Sequence, residues 1–248
     1  MKAFLIVFGL VVAASLATIA AVSLHRSAPA SHPVRETRSV AGFHGIDITG
    51  HAAVTLVQGG AENVTVDAPA STQVRTDVRN GKLTIEVADR THAWEWLSGR
   101  GAGGARITVN VRELDRIDAA GALSIVADKL KTNELRLDLA GACTMKIDDL
   151  QAATLSVDGS GATKIQIAGK VTRQQIDLSG AGSYEAARLA SDEASVDVSG
   201  AGKAVVNARK SLSVDISGAG KVDYIGDPTV KQTISGIGKV TRREAPGA

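Results

Sequence analysis

From about Arg106 to Val240, apolar and polar positions alternate in short runs, and each run ends at a glycine. The clearest lines are Val214-Asp215-Ile216-Ser217-Gly218-Ala219-Gly220-Lys221-Val222, Val196-Asp197-Val198-Ser199-Gly200-Ala201-Gly202-Lys203-Ala204 and Ile176-Asp177-Leu178-Ser179-Gly180-Ala181-Gly182-Ser183-Tyr184. Weaker copies centre on Gly121, Gly141 and Gly161, and a last one on Gly236, so the central glycines stand 20, 20, 19, 20, 18 and 18 residues apart. Four before each glycine are Ile117, Leu137, Val157, Ile176, Val196 and Val214, with Gln232 ending the series. Two before are Ala119, Leu139, Gly159, Leu178, Val198, Ile216 and Ile234; between the two columns run Asp118, Asp138, Asp158, Asp177, Asp197, Asp215 and then Thr233. This is the period of a half-buried strand, with the aspartates facing out. Past the glycine, Ile125, Met145, Ile165, Tyr184, Ala204, Val222 and Val240 make a second apolar column. Ala127, Ile147, Ile167, Ala186, Val206 and Tyr224 make a third. Two short strands joined at a Ser/Ala-Gly corner cannot bury a face alone, so each repeat must stack on the next. The pattern predicts an all-β, right-handed parallel β-solenoid (β-helix).

The corner needs glycine because the chain turns sharply there and neighbouring coils lie only about 4.8 Å apart. Gly182, Gly202, Gly220 and Gly238 are read as repeating that device two residues on, where earlier copies carry Leu123, Cys143 and Thr163. The N-terminal part is β but irregular. Ile46-Asp47-Ile48-Thr49-Gly50 has the strand-then-glycine shape, and Val54–Val57 and Val64–Val66 alternate as strands. Asp77 to Val87 reads as a hairpin turning on Asn80-Gly81. Residues 88–105 are a polar, glycine-rich insertion, after which Arg106–Val111 resumes strand. The best helical stretch, Leu130–Leu135, is better explained by the repeat.

Composition sharpens this picture. Aromatic residues make up 3% of the chain, so the core is built from Val, Ile, Leu and Ala. No proline falls between Ala70 and Asp227, as continuous sheet requires. Ala3–Leu24 is an uncharged apolar run behind Lys2, close to the ~20 residues that span a bilayer. Ala28-Pro29-Ala30 offers a cleavage site. Residues 1–30 are therefore a cleaved signal peptide or an uncleaved N-terminal anchor, and both imply export. No cysteine follows the run, which excludes a lipid anchor at that position. Those residues hold Lys2 and Arg26 and no acid, so the remainder, with 26 acidic residues, is formally neutral. A nucleic-acid binder would be basic. Cys143 is the sole cysteine, so no intrachain disulfide exists.

Candidate chemistry is sparse. The aspartate column suggests a cation ladder, but calcium-binding nonapeptide repeats place aspartate after their glycines. Here it precedes them, and Lys164, Lys203, Lys221 and Lys239 follow, so the plainer reading is solvated carboxylates paired with those lysines. Gly-Ala-Gly-Lys lacks the spacing and the helix of a phosphate loop. The histidines, His25, His32, His44, His51 and His92, all precede the repeats and form no catalytic or metal-binding spacing. Paired acids on a β-helix could cleave polysaccharide, yet a column present in every coil singles out no site. No catalytic residue, metal or cofactor is expected. Trp94 and Trp96, the only tryptophans, lie two apart in the insertion. On a strand they would share a face and form a ligand-binding platform; the plainer reading is that they plug the junction with the solenoid.

Gly42-Phe43-His44-Gly45-Ile46-Asp47, Asn80-Gly81-Lys82-Leu83-Thr84-Ile85 and the Ser-Gly-Ala-Gly-Lys copies, ending in Ile234–Val240, resemble the head GIN domain family of auto-transporter adhesins over about residues 40–240. The resemblance implies a bacterial envelope or secreted β-solenoid with no established enzymatic role. The expected organisation is a signal or anchor at 1–30, a linker at 31–39, a GIN-like domain at 40–241 and a tail at 242–248. Within the domain, residues 40–105 form the less regular part and 106–241 the repeats. Only the short tail follows the repeats, so no translocator barrel is expected. The expected function is structural, adhesive or partner-binding, toward an envelope protein or glycan. The localisation expected is the periplasm or cell surface, with the membrane touched only through residues 3–24. The rival is a carbohydrate-active β-helix enzyme.

Overall fold

The computed structural model describes residues 34–89 and 104–244, all within one unit of the chain, Pro33–Ala248. These residues form 14 strands and no helix. The solenoid begins one coil earlier than the repeats, at β2 (Gly45–Gln58), and runs through β7 (Arg116–Lys131), β8 (Glu134–Gly161), β9 (Lys164–Gly180), β10 (Ser183–Gly200) and β11 (Lys203–Gly218). β12 (Lys221–Ile225), β13 (Thr229–Gly236) and β14 (Lys239–Arg242) complete it. All pair in parallel, with the glycine corners in register: Gly50 on Gly121 on Gly141, and Gly161 on Gly180 on Gly200 on Gly218 on Gly236.

The expected columns form the interior. Ile117, Leu137, Val157, Ile176, Val196 and Val214 are buried, as are Ile125, Met145, Ile165, Tyr184, Ala204 and Val222 on the other arm. Each coil also has a third side that the repeat spacing did not reveal, with Leu130, Leu150 and Leu189 buried along it. The register shifts lie there, between Ile147 and Leu150, between Glu185 and Leu189, and between Ser191 and Glu193. The third side thus absorbs the change in repeat length from 20 to 18, while the aspartate and glycine columns stay aligned.

The two glycines of each corner do different work. At Gly200, φ is +125° and a Cβ would stand 2.7 Å from Gly180 O, the same carbonyl that accepts the Ala201 N–H at 2.9 Å. Both the turn and the close approach exclude a side chain. Gly202 does not repeat that device: it has no left-handed φ, and its Cβ would meet Val198 Cγ1 at 2.9 Å. The same holds for Gly220 against Val198 and Ile216, and for Gly238 against Ile216 and Ile234. These glycines make room for the branched side chains two before the corner. Where that column is small, as at Ala119, the partner is large, as at Leu123.

One coil interior is polar. Gln174, fully buried, replaces the Leu135, Leu155 and Leu212 of its column. It accepts from Tyr184 Oη at 2.9 Å and donates to Ser191 Oγ at 2.8 Å; Ser191 donates on to Asn207 O at 2.7 Å. The network lies beside the β10 register shifts, where backbone carbonyls leave the ladder and need other donors. Burial pushes the Tyr184 hydroxyl far above its ordinary value.

The N-terminal part builds an extra layer under β2. β4 (Thr72–Arg79) and β5 (Lys82–Asp89) form the expected hairpin, with positive φ at Asn80 and Gly81. β5 then stacks parallel on Gly45–Thr49 of β2, and β6 (Ala105–Val111) on Ala52–Gln58. β3 (Asn63–Ala68) pairs antiparallel with β6, and β1 (Val34–Ser39) with β3. Arg38 reaches from β1 to Val74 O at 2.9 Å and Thr76 Oγ1 at 3.1 Å, engaging the β4 edge.

Candidate functional site

The aspartates form one outward ladder that divides into two electrostatic halves. In the first, Lys82 bonds Asp118 at 2.8 Å and Asp47 at 3.5 Å, Arg116 bridges Asp118 and Asp138 at 2.7 Å each, and Arg136 holds Asp138 at 3.2 Å. Burial tends to raise the Asp118 carboxyl, but the hydrogen bonds and charges of Lys82 and Arg116 outweigh it and hold it below the ordinary value. In the second half, Asp158, Asp177, Asp197 and Asp215 stack in register with no ion pair among the described residues. Burial and the neighbouring aspartates push Asp158 and Asp197 up. The lysines past the corner do not serve as counter-ions: they lie on the other arm, and Lys221 instead bonds Asp223 at 2.9 Å. The difference between halves comes from the position two before each aspartate. It is Arg116 or Arg136 early, then Ser156, Gln175, Ser195 or Ser213.

Among the described residues, no three His, Cys, Asp or Glu side chains converge as a metal site. Cys143 is buried, and burial raises its thiol, which suppresses the reactive thiolate.

A second surface is grooved. On the outer face of the post-corner arm, register places Thr37, Thr65, Thr108 and Thr55 side by side across β1, β3, β6 and β2. One step along, Arg35, Asp67, Arg106 and Ala53 form a parallel row; on the other side, Asn63 accepts from Asn110 at 2.9 Å. Two grooves meet at Ala53 and Arg106. The larger, of about 400 Å³, is lined by His51, Ala53, Gly104, Arg106, Ser124 and Ala142. The smaller, of about 370 Å³, is lined by Arg35, Thr55, Thr65, Asp67, Arg106 and Thr108. The small side chains of Ala53 and Ala142 leave the space; guanidinium, carboxylate and hydroxyl groups supply donors and acceptors on a rigid sheet.

Trp94 and Trp96 lie outside the described residues, as do the apolar run of residues 3–24 and residues 245–248. The connection that carries the tryptophans leaves β5 at Asp89 and re-enters at Gly104, a lining residue of the larger groove. The threonine face was not singled out from sequence, because its residues come from four strands up to 71 positions apart (Thr37 to Thr108). The only local signal was the alternation in each strand.

Similar folds are known. A putative adhesin of Bacteroides fragilis is 22% identical, with a TM-score of 0.71 over 87% of this chain and 98% of its own. A putative lipid binding protein of Parabacteroides distasonis is 19% identical, with a TM-score of 0.63 over 86% and 98%. A putative adhesin of Parabacteroides merdae is 18% identical, with a TM-score of 0.65 over 86% and 97%. These likenesses establish the solenoid fold. No functionally curated protein matches the chain. The family model described as putative auto-transporter adhesin, head GIN domain, matches residues 42–228.

Proposed function

The chain belongs to the head GIN domain family, and from that membership we propose an exported, non-enzymatic β-solenoid of the bacterial cell envelope that works by adhesion. Its contact surface is the threonine and arginine face of β1, β3, β6 and β2, and its ligand is an envelope glycan. The observation that carries this reading is the pair of adjoining grooves that meet at Arg106, the larger one mostly apolar and the smaller one lined by hydroxyl, carboxylate and guanidinium groups. Sugar hydroxyls suit closely spaced hydroxyl, amide and guanidinium groups, and an aromatic platform covers the apolar face of a sugar ring. Trp94 and Trp96 are assigned that platform role.

Two other readings have less support. A polysaccharide-cleaving enzyme needs two carboxylates with distinct tasks, whereas the ladder offers rungs about 4.8 Å apart that repeat in every coil. A lipid carrier needs an apolar lumen, whereas the inward columns are filled with buried side chains. Export is supported by Ala3–Leu24, and finding Met1 at the mature N-terminus would rule out cleavage.

Glycan-array binding by the full chain tests the reading. Wild type should bind, and Arg106→Ala and the Trp94→Ala/Trp96→Ala pair should each lose signal. Absence of wild-type binding would sink the glycan assignment. Turnover on a polysaccharide panel, lost on changing one particular aspartate, would replace it with the enzyme.

A further inference from the structure

The two ends of the solenoid are finished differently. Arg38 engages the β4 edge at the N-terminal end. At the other end, β13 pairs with β11 on one side, and the described residues place nothing on its other edge. Its inward Ile234 is 39% exposed, where the counterpart Ile216 is fully buried, and Ile237 at the corner is 89% exposed. An open edge of this kind is a template for another strand.

β13 is also where the repeat changes. Gln232 replaces the inward Val214 beneath it, and Thr233 the outward Asp215. The resulting strand is complementary to itself read backwards. Its inward side reads Val230, Gln232, Ile234, and its outward side Thr229, Lys231, Thr233, Ser235. An antiparallel copy laid with Gln232 opposite Gln232 sets Val230 against Ile234, Lys231 against Thr233 and Thr229 against Ser235. No like charges stand directly opposite, the two Lys231 side chains being diagonal neighbours, and the two amides can bond each other. Lys231 of the second copy also comes about two strand spacings, roughly 9.6 Å, from Asp215. That is the last of the four rungs that lack a cation.

We propose that two copies of this chain join end to end through β13, antiparallel, across a two-fold axis passing at Gln232. Such an isologous contact closes on itself and uses up the open edge of β13. It leaves the grooves around Arg106 clear, since these lie at the opposite end of the strand order.

Sedimentation of the full chain over a range of concentrations should show a monomer–dimer equilibrium. Gln232 is exposed in the single chain, so Gln232→Lys should leave the far-ultraviolet spectrum unchanged. It should weaken association by at least about tenfold, because it sets two ammonium groups opposite each other. Gln232→Cys should form an intermolecular disulfide on mild oxidation, since directly opposed residues lie within disulfide range. Thr233→Cys should not, because its own counterpart sits two positions off. A chain that stays monomeric throughout overturns the proposal. So does a dimer indifferent to Gln232→Lys, or one cross-linked equally well from position 233.

Discussion

Replacing Gly200 by alanine sets a methyl group against backbone that cannot yield. The new Cβ would lie 2.7 Å from Gly180 O and 3.1 Å from Gly180 N, and φ at this residue is +125°. Holding a side chain in that conformation costs about 1–3 kcal/mol. Gly180 O already accepts the Ala201 N–H at 2.9 Å. Parting the coils enough to seat the methyl weakens that bond, for about 1–3 kcal/mol more, so the total should be roughly 2–6 kcal/mol. Two comparisons isolate the cause. Gly42 has φ of +76° with nothing within 4 Å of a Cβ, so Gly42→Ala reports conformational strain alone. In Gly202→Ala the one approach under 3 Å is to Val198 Cγ1, at 2.9 Å, with Gly182 O next at 3.4 Å; it should cost about 1–3 kcal/mol as overpacking, and Val198→Ala should relieve most of it. Urea unfolding, with midpoints compared at constant m, reads all of these. The reasoning is refuted if Gly200→Ala costs no more than Gly42→Ala. It is equally refuted if Val198→Ala rescues position 200 as well as it rescues position 202.

The aspartate ladder should give opposite pH responses in its two halves. Asp118 is held low by Lys82 and Arg116, so its stabilising contribution is full above the ordinary carboxyl range and is lost as pH falls through its depressed folded value. Asp118→Asn should cost about 1 kcal/mol at neutral pH by chemical denaturation. Asp158 and Asp197 are raised, so ionisation weakens the fold, and stability should rise as pH falls through their raised folded values. The Asp158→Asn/Asp197→Asn pair should be more stable than wild type at pH 7 and should lose that gain under mild acid; an unchanged pH profile would contradict it. Tyr184→Phe leaves Gln174 Oε1 buried without its donor and should cost about 1–3 kcal/mol, whereas adding Gln174→Leu should restore much of it. Thermal denaturation of the single and double variants would check this.

The strands and their stacking were legible because each coil repeats the same sequence of inward and outward positions, so columns named from spacing became columns in register. The corner at Gly200 was legible for the same reason. The reason for Gly202 was not: glycine looks alike in sequence whether it supplies a turn or a vacancy, and only the side chain of Val198 tells them apart. The third side escaped because its column is broken: Leu130, Leu150 and Leu189 each stand nine after their glycine, but the coil between them places Gly169, eight after Gly161, in register with Leu150 and Leu189. The Gln174 network escaped because a glutamine among leucines looks like an outward position until Tyr184 and Ser191 are seen to converge on it. The threonine face depends on strand order in the irregular part, where β3 and β1 reverse direction, and no periodicity encodes that order.

The alternation between bulk before the corner and bulk after it has a consequence for how such a chain can change. Of the early coils, one puts Leu123 after the corner and Ala119 before it, and the next splits its bulk between Leu139 and Cys143; late ones put Leu178, Val198 and Ile216 before it and glycine after. The changeover falls at Gly159 and Thr163, where a Cβ on Gly159 would come within 3.0 Å of both Thr163 Oγ1 and Leu178 Cδ2. The corners of the late half therefore share one packing, although the Gln174–Tyr184–Ser191 network ties its coils together elsewhere. One of those corners moved across the changeover would bring a void to one arm and a collision to the other. Exchange of corners is thus open within the late half, and across the seam it is opposed.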